Sequence, residues 1–335
     1  MKTIQLNKGA ITLPESWDEL SPAQKRYAFF LLEKMIKGEI TPPIFRLMML
    51  RKISGYTGRG GGAIRLLRYA CFFACRPFVA AWYAARLGKA RFADYMQVWD
   101  DVNQPKRKDE SLIAYNLFRL SEMVDFAFSL DGNSVVLNKK FERNPYPFLT
   151  VKGVAYTGRK FNHDIAVFTN ITGKEYSDCF DLYVAHSESS DPVFKAKCAC
   201  KILAILYPES DNYSENLTGD HTERMASVAP ELRFAAVYWF SSIVEYYHVH
   251  PVYSLLFRKS DGASGDEKIS LGMNETVLSL TNRNWSAANA NLNDFFDMQI
   301  KLLKDHLSEA LANGVKIADL AKKTKLSVND INKLT

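Results

Sequence analysis

The chain has 335 residues and a formal net charge of +6, with 47% hydrophobic and 24% charged residues, a composition that excludes the disordered and fibrous classes and fits a folded globular protein. Met1 to Ala10 carries two lysines and no apolar run, and the longest charge-free apolar windows, Pro77 to Ala85 and Phe234 to Val244, fall short of the roughly 20 residues that cross a bilayer, so neither a secretory leader nor a membrane span is expected. The five cysteines, Cys71, Cys75, Cys179, Cys198 and Cys200, lie in apolar stretches, which suits reduced core thiols in a cytoplasmic or virion-associated protein better than a disulfide framework.

Leu13 to Tyr56 carries the signals of a helical hairpin. Ser21-Pro22-Ala23-Gln24 joins a capping box to a proline at the first helical position, where its missing N–H costs nothing. Tyr27, Phe30, Leu31 and Met35 carry the helix to the Gly38 stop, and Thr41-Pro42 opens the next one. Between Glu39 and Asp94 there is no acidic residue, whereas Arg46, Arg51, Lys52, Arg59, Arg65, Arg68, Arg76, Arg86, Lys89 and Arg91 supply ten positive charges. Such a block attracts a nucleic acid, a membrane surface or the acidic face of a protein. Its arginines alternate with large apolar residues, which favours a protein partner anchored by Arg46, Arg51, Arg59, Arg65, Arg68, Arg76, Trp82 and Arg86. The loop Gly58-Arg59-Gly60-Gly61-Gly62 follows a helical pattern and lacks the Gly-Lys-Ser/Thr ending of a nucleotide loop, so it reads as a hinge with at most an anion site. Ala63 to Leu87 is expected to be helical.

Asp100 to Lys108 is polar, basic and broken by Pro105, which marks a boundary. The expected organisation is a basic helical region over 1–110, a helical core over 111–311 and a helical hairpin over 312–335. Ser111 to Leu130 has helical spacing, Asp131-Gly132-Asn133 is a turn signal, and Ser134 to Leu137 with Phe148 to Tyr156 are the strand-like runs of a small hairpin. The fold class is therefore mainly α, a multi-helix bundle-like core with one small β-hairpin.

Three helices organise the core. Thr172-Gly173-Lys174-Glu175 is a capping box, followed on one face by Tyr176, Cys179, Phe180, Tyr183 and Val184. Asp191-Pro192 opens the second helix, with Phe194, Cys198, Ile202 and Ile205 along its face and Pro208 as its stop. Pro230 opens the third, which runs through Phe234, Val237, Tyr238, Ser241 and Val244 towards Tyr247. Amphipathic helices of this length are unstable singly in water, so the three should pack together. Glu209 to Ala226 and Lys259 to Lys268 read as polar loops, Glu275 to Leu280 as a short element, and Asn291 to Leu311 as a long closing helix.

His248-Val249-His250 and Cys198-Ala199-Cys200 have spacings found among metal ligands, but residues two apart on a helix point in different directions, so core and helix-end roles are expected and no metal or other cofactor is assigned. No Ser/His/Asp set or carboxylate pair stands out from ordinary surface charge, so a non-enzymatic protein is expected. Lys316 to Thr335 resembles a helix-turn-helix: Leu320-Ala321 lies in the first helix, Leu326 in the turn, Ser327 at the cap, and Val328, Ile331 and Leu334 hold the second helix against the first. Its candidate nucleic-acid contacts are Lys325, Ser327, Asn329, Asn332 and Lys333.

Leu13-Pro14-Glu15-Ser16-Trp17-Asp18-Glu19-Leu20-Ser21, a Leu-Tyr pair ahead of Ala204-Ile205-Leu206-Tyr207-Pro208, and an aromatic helix ending His250-Pro251-Val252-Tyr253 resemble prophage proteins of anaerobic gut bacteria, similar to the tail-assembly accessory or chaperone-like proteins of tail-morphogenesis modules. The resemblance runs loosely from about 11 to 311 and implies a mostly helical, non-enzymatic protein that binds other phage proteins. Two readings are open. One is an assembly protein holding a partner in grooves between helices and on the 46–91 segment. The other is a nucleic-acid-binding regulator that uses the C-terminal hairpin and the same basic segment.

Overall fold

The computed structural model describes residues 1–6, 9–54, 76–78, 80–81, 119–131, 134–162, 168–210, 218–257, 290–324 and 326–335. The glycine loop at 58–62, most of 63–87 with Arg59, Arg65, Arg68, Trp82 and Arg86, the 100–108 boundary, the 259–268 and 275–280 segments, and Lys325 lie outside the described residues. The fold is mainly α with small two-stranded antiparallel sheets, and the chain divides into two compact units, Met1–Lys140 and Phe141–Thr335. Among the described residues no helix is long and apolar enough to cross a membrane.

In the first unit, β1 (Lys2–Leu6) pairs with β2 (Gly9–Leu13) in the register Lys2 opposite Leu13, a hairpin that the sequence pattern did not announce. A 3-10 turn, Trp17–Glu19, leads into α1 (Pro22–Ile36). The capping box is formed as expected: the Ser21 hydroxyl accepts from Gln24 N at 3.3 Å, and the Gln24 side chain accepts from Ser21 N at 2.9 Å. Gly38 ends the turn at φ 75°, and α2 (Pro42–Ser54) comes next. Residues 119–121 are helical, but the helical reading of 111–130 fails at its end: Phe128–Asp131 is a strand, β3, paired with β4 (Ser134–Leu137). The reason is packing. Phe126 and Phe128 are buried, with Phe126 edge-on to Trp17 at 5.1 Å and Phe128 5.3 Å from Phe45, and this tertiary demand overrides a helix-like spacing. Trp17 is fully buried, stacked on Phe29 at 4.7 Å, and its indole Nε1 donates to the Asn138 carbonyl at 2.8 Å. A ring with its polar tip satisfied in this way fixes the centre of the unit.

The second unit opens with β5 (Phe148–Val151) and β6 (Val154–Thr157), joined by Lys152 and Gly153 at φ 49° and 83°. Two consecutive left-handed residues match the twist of a tight hairpin. The run 148–156 is thus a hairpin in itself, not one strand pairing with 134–137. Four helices succeed it: α3 (Gly173–Glu188), α4 (Pro192–Leu206), α5 (Thr218–Met225) and α6 (Pro230–Val249). The starts read from Thr172, Asp191-Pro192 and Pro230 are in place, and α3, α4 and α6 pack on one another. Within the loop expected at 209–226 lies α5, a short helix held by buried His221 and Met225. Phe194, assigned to the buried face of α4, is 44% exposed and sits in the first turn, whereas the buried residues of α4 begin at Cys198.

The long helix α7 (Leu292–Ala312) is capped by Asn291, whose side chain accepts from Asn293 N and Asp294 N. Its start is tied to that of α3: Leu292 N donates to the Ile171 carbonyl at 2.7 Å and Gly173 N to the Ala290 carbonyl at 3.1 Å. Behind this joint Tyr176, Phe240, Tyr247 and Phe296 form a buried aromatic cluster, with Tyr247 4.4 Å from Phe296; burial of each phenylalanine stabilises the fold by about 1.5–3 kcal/mol, and Tyr176 contributes less because its hydroxyl is buried without a hydrogen-bond partner. A buried ion pair crosses the same region. Arg159 Nη2 meets Glu175 Oε1 at 2.5 Å, and the other Glu175 oxygen accepts from Thr172 N at 2.9 Å. Burial raises the Glu175 carboxyl, while Arg159 and the Thr172 backbone N–H pull it down.

Candidate functional site

The C-terminal helices α8 (Ile317–Thr324) and α9 (Val328–Leu334) are separated by a three-residue connection, 325–327. The second helix starts where it does because Ser327 and Asp330 complete a capping box: Ser327 Oγ accepts from Asp330 N at 3.2 Å, and the Asp330 carboxylate accepts from Ser327 N at 3.2 Å and from Ser327 Oγ at 2.6 Å. Both helices rest on α7. Leu320, Leu326, Ile331 and Leu334 are buried with Ile300 and Leu307, and Leu303, Ala310, Leu311 and Val315 close the cluster. The hairpin is therefore one face of a three-helix unit with its own core. Val328 is not part of that core; at 46% exposure it points outward, since Ile331 and Leu334 already fill the helix face turned to α7.

Of the hairpin residues singled out for nucleic acid, Ser327, Asn329, Asn332 and Lys333 are exposed on the outer side of α9, and Lys325 lies outside the described residues. Asn329, Asn332 and Lys333 stand at i, i+3 and i+4, so the structure places them on one face. Lys316 and Lys322 are exposed on α8 and just before it. Over 316–335 the sequence holds five lysines against two aspartates, and one of the two, Asp330, is 5% exposed and committed to the cap.

The described part of the basic segment is differently employed. The Arg46 guanidinium lies over the Phe128 ring, 5.0 Å from its centroid, and its Nε is buried without a hydrogen-bond partner. Lys52 lies over Tyr27 at 5.6 Å. Arg46 is thus part of the packing of the first unit, while Arg51 and Arg76 are exposed. Arg59, Arg65, Arg68, Trp82 and Arg86 fall outside the described residues.

A cavity of about 370 Å³ adjoins β6, lined among others by Tyr156, Arg159, Asn170, Glu209, Ser210 and Arg224. Arg224 Nη1 meets Glu209 Oε1 at 2.5 Å and donates to the Tyr156 hydroxyl at 3.2 Å. Behind Glu209, buried His221 puts Nε2 2.7 Å from the Tyr207 carbonyl and Nδ1 3.4 Å from Glu209 Oε1. A carbonyl only accepts, so Nε2 carries the proton. This small polar pocket has its cations already answered by carboxylates, and sequence reading missed it because its members come from β6, from Arg159 and Asn170 beyond it, and from both sides of the 211–217 segment.

Cys179, Cys198 and Cys200 are free and buried, and burial pushes the Cys179 and Cys198 thiols up, which makes them packing groups and not nucleophiles. His248 lies against Phe257 at 4.2 Å and His250 on Tyr253 at 4.3 Å. Among the described residues no three His, Cys, Asp or Glu side chains gather as a metal site. No family model matches the chain, and comparison with curated proteins and with solved structures finds no match.

Proposed function

We propose that this chain is a non-enzymatic binding protein whose C-terminal three-helix unit docks on duplex nucleic acid through α9. The observation that carries the reading is the packed α8–turn–α9 arrangement, which leaves Asn329, Asn332 and Lys333 together on the outer face while Leu326, Ile331 and Leu334 hold the helix from behind. An α-helix fits the major groove of B-form DNA, asparagine can bond bidentately to adenine edges, and lysine can reach guanine or phosphate. Exposed Val328 adds an apolar group suited to a thymine methyl. The test is fluorescence anisotropy with a mixed-sequence duplex, comparing the wild-type chain with an Asn332→Ala/Lys333→Glu variant. These residues are exposed, so the fold survives the change, whereas deleting the hairpin would uncover Ile300 and Leu307. Binding should weaken at least about tenfold in the variant; equal binding, or none by either protein, contradicts the reading.

A second reading is an assembly role in which the chain holds other phage tail proteins, as the resemblance implies. It is favoured by the β3–β4 hairpin, where Leu130, Val135 and Val136 are 47%, 39% and 51% exposed. Serine at these three positions should abolish capture of a tail partner without changing duplex binding; capture that survives the change opposes this reading.

A further inference from the structure

Among the described residues, five helical starts share one local pattern, a residue at the cap position and then proline: Ser21-Pro22, Thr41-Pro42, Asp191-Pro192, Ala229-Pro230 and His250-Pro251. The last differs in kind. His250 ends α6 in an extended conformation, φ −63° and ψ 133°, the backbone of a residue that caps a helical segment starting after it. That segment is the 3-10 turn Tyr253–Phe257. His250 Nδ1 stands 3.3 Å from Val252 N and 3.3 Å from Tyr253 N, and both N–H groups donate to it, while Ser254 N donates to the His250 carbonyl at 3.0 Å. This is the hydrogen-bond pattern of an asparagine or aspartate cap, with an imidazole nitrogen in place of the side-chain oxygen; both atoms are bonded to Cγ.

We infer that His250 is a titratable cap, and that its protonation unlatches the turn which joins α6 to the C-terminal core. The switch is one of acceptor against donor. A neutral imidazole with its proton on Nε2 offers Nδ1 as an acceptor; the protonated ring carries hydrogen on both nitrogens and accepts nothing. Protonation therefore removes the acceptor for two backbone N–H groups at once and sets a donor against them. The groups facing the ring are Tyr253, stacked on it at 4.3 Å, Tyr246 at 5.7 Å on α6, and on α7 Asp297, whose Oδ1 accepts from the Tyr253 hydroxyl at 2.8 Å; Asp294, one turn before Asp297, acts on Tyr253. Burial lowers the His250 value and the Asp297 charge opposes that shift. The cap is therefore intact above the ordinary imidazole value and is lost as pH falls through a lower one. The effect reaches beyond the turn, because Tyr253, Leu255 and Leu256 lie against the cluster of Ile300, Leu307, Leu320 and Ile331. The latch works in the same way whatever the C-terminal unit binds.

The test is hydrogen exchange on the full chain at about pH 7.5 and about pH 5.5, bracketing the imidazole range, expressed as protection factors for the Val252 and Tyr253 amides, which divide out the intrinsic pH dependence of exchange. In the wild type, protection should fall about fivefold or more at the lower pH, the effect of losing one cap. His250→Asn keeps a side-chain acceptor at the same position but cannot titrate, so its protection should be high and equal at both values. His250→Ala should be poorly protected at both. Wild-type protection that is the same at the two pH values, or a His250→Asn variant that loses protection as the wild type does, overturns the inference.

Discussion

Arg159 and Glu175 show how one residue can hold several parts of a fold. Both side chains are nearly fully buried, with exposures of 6% and 0%, and the Glu175 carboxylate answers Arg159 with one oxygen and caps α3 through Thr172 N with the other. Removing one partner of a buried pair leaves an uncompensated charge, so Arg159→Met should cost about 3–5 kcal/mol in urea denaturation. Arg159→Met combined with Glu175→Leu should cost less than Arg159→Met alone, retaining mainly the loss of the cap, about 1 kcal/mol. A double variant less stable than the single would contradict this assignment. Gly158 is a second residue whose identity is dictated by its surroundings. A Cβ there would lie 2.5 Å from Asn144 Nδ2 and 2.7 Å from Tyr207 Cε1, and Asn144 is itself fixed by Arg159, Tyr146 and Tyr207. Gly158→Ala should therefore destabilise by about 1–3 kcal/mol, the usual range for overpacking, measurable by the same denaturation.

The elements divide into those whose cause is local and those whose cause is distant, and this decides what could be read from the sequence. The starts at Ser21, Thr172, Asp191 and Ser327 were legible because a cap is formed by residues two or three apart. The strand Phe128–Asp131 was not, because what makes it a strand is the burial of Phe126 and Phe128 against Trp17 and Phe45, some 80 or more residues away in the chain. The helix Thr218–Met225 was hidden by its polar composition, with little besides Met225 to mark an inner face. For the candidate site, the polar face of α9 was legible from its spacing, while the exposure of Val328 depended on how α7 lies behind the hairpin. The end of α6 carries a further prediction. His248 Nε2 is buried without a hydrogen-bond partner, and burial lowers the His248 value. The folded state thus disfavours the charged ring: its contribution to stability is present above the ordinary imidazole value and is lost as pH falls below it. Unfolding free energy should decline between about pH 7 and about pH 5, with a slope of at most about 1.4 kcal/mol per pH unit from this group, and His248→Phe should reduce it, leaving the part that His250 contributes. An unchanged slope in the variant would assign the pH dependence elsewhere.

Across the molecule as a whole, the C-terminal three-helix unit is the part to which we assign a binding function towards nucleic acid. Its support is a buried apolar core under an exposed polar face, in a stretch where lysines outnumber acidic residues. The salt dependence of duplex binding by the intact chain probes this assignment without intermediaries. Each lysine that neutralises a phosphate releases condensed counterion, so the logarithm of affinity falls with the logarithm of salt concentration by about 0.9 per contact. With Lys316, Lys322 and Lys333 exposed on the unit, binding should be saturable with a slope of about −3 or steeper, reduced by about 1 in Lys333→Ala. Binding that is absent, or that has a slope near zero and is indifferent to Lys333, would contradict the assignment.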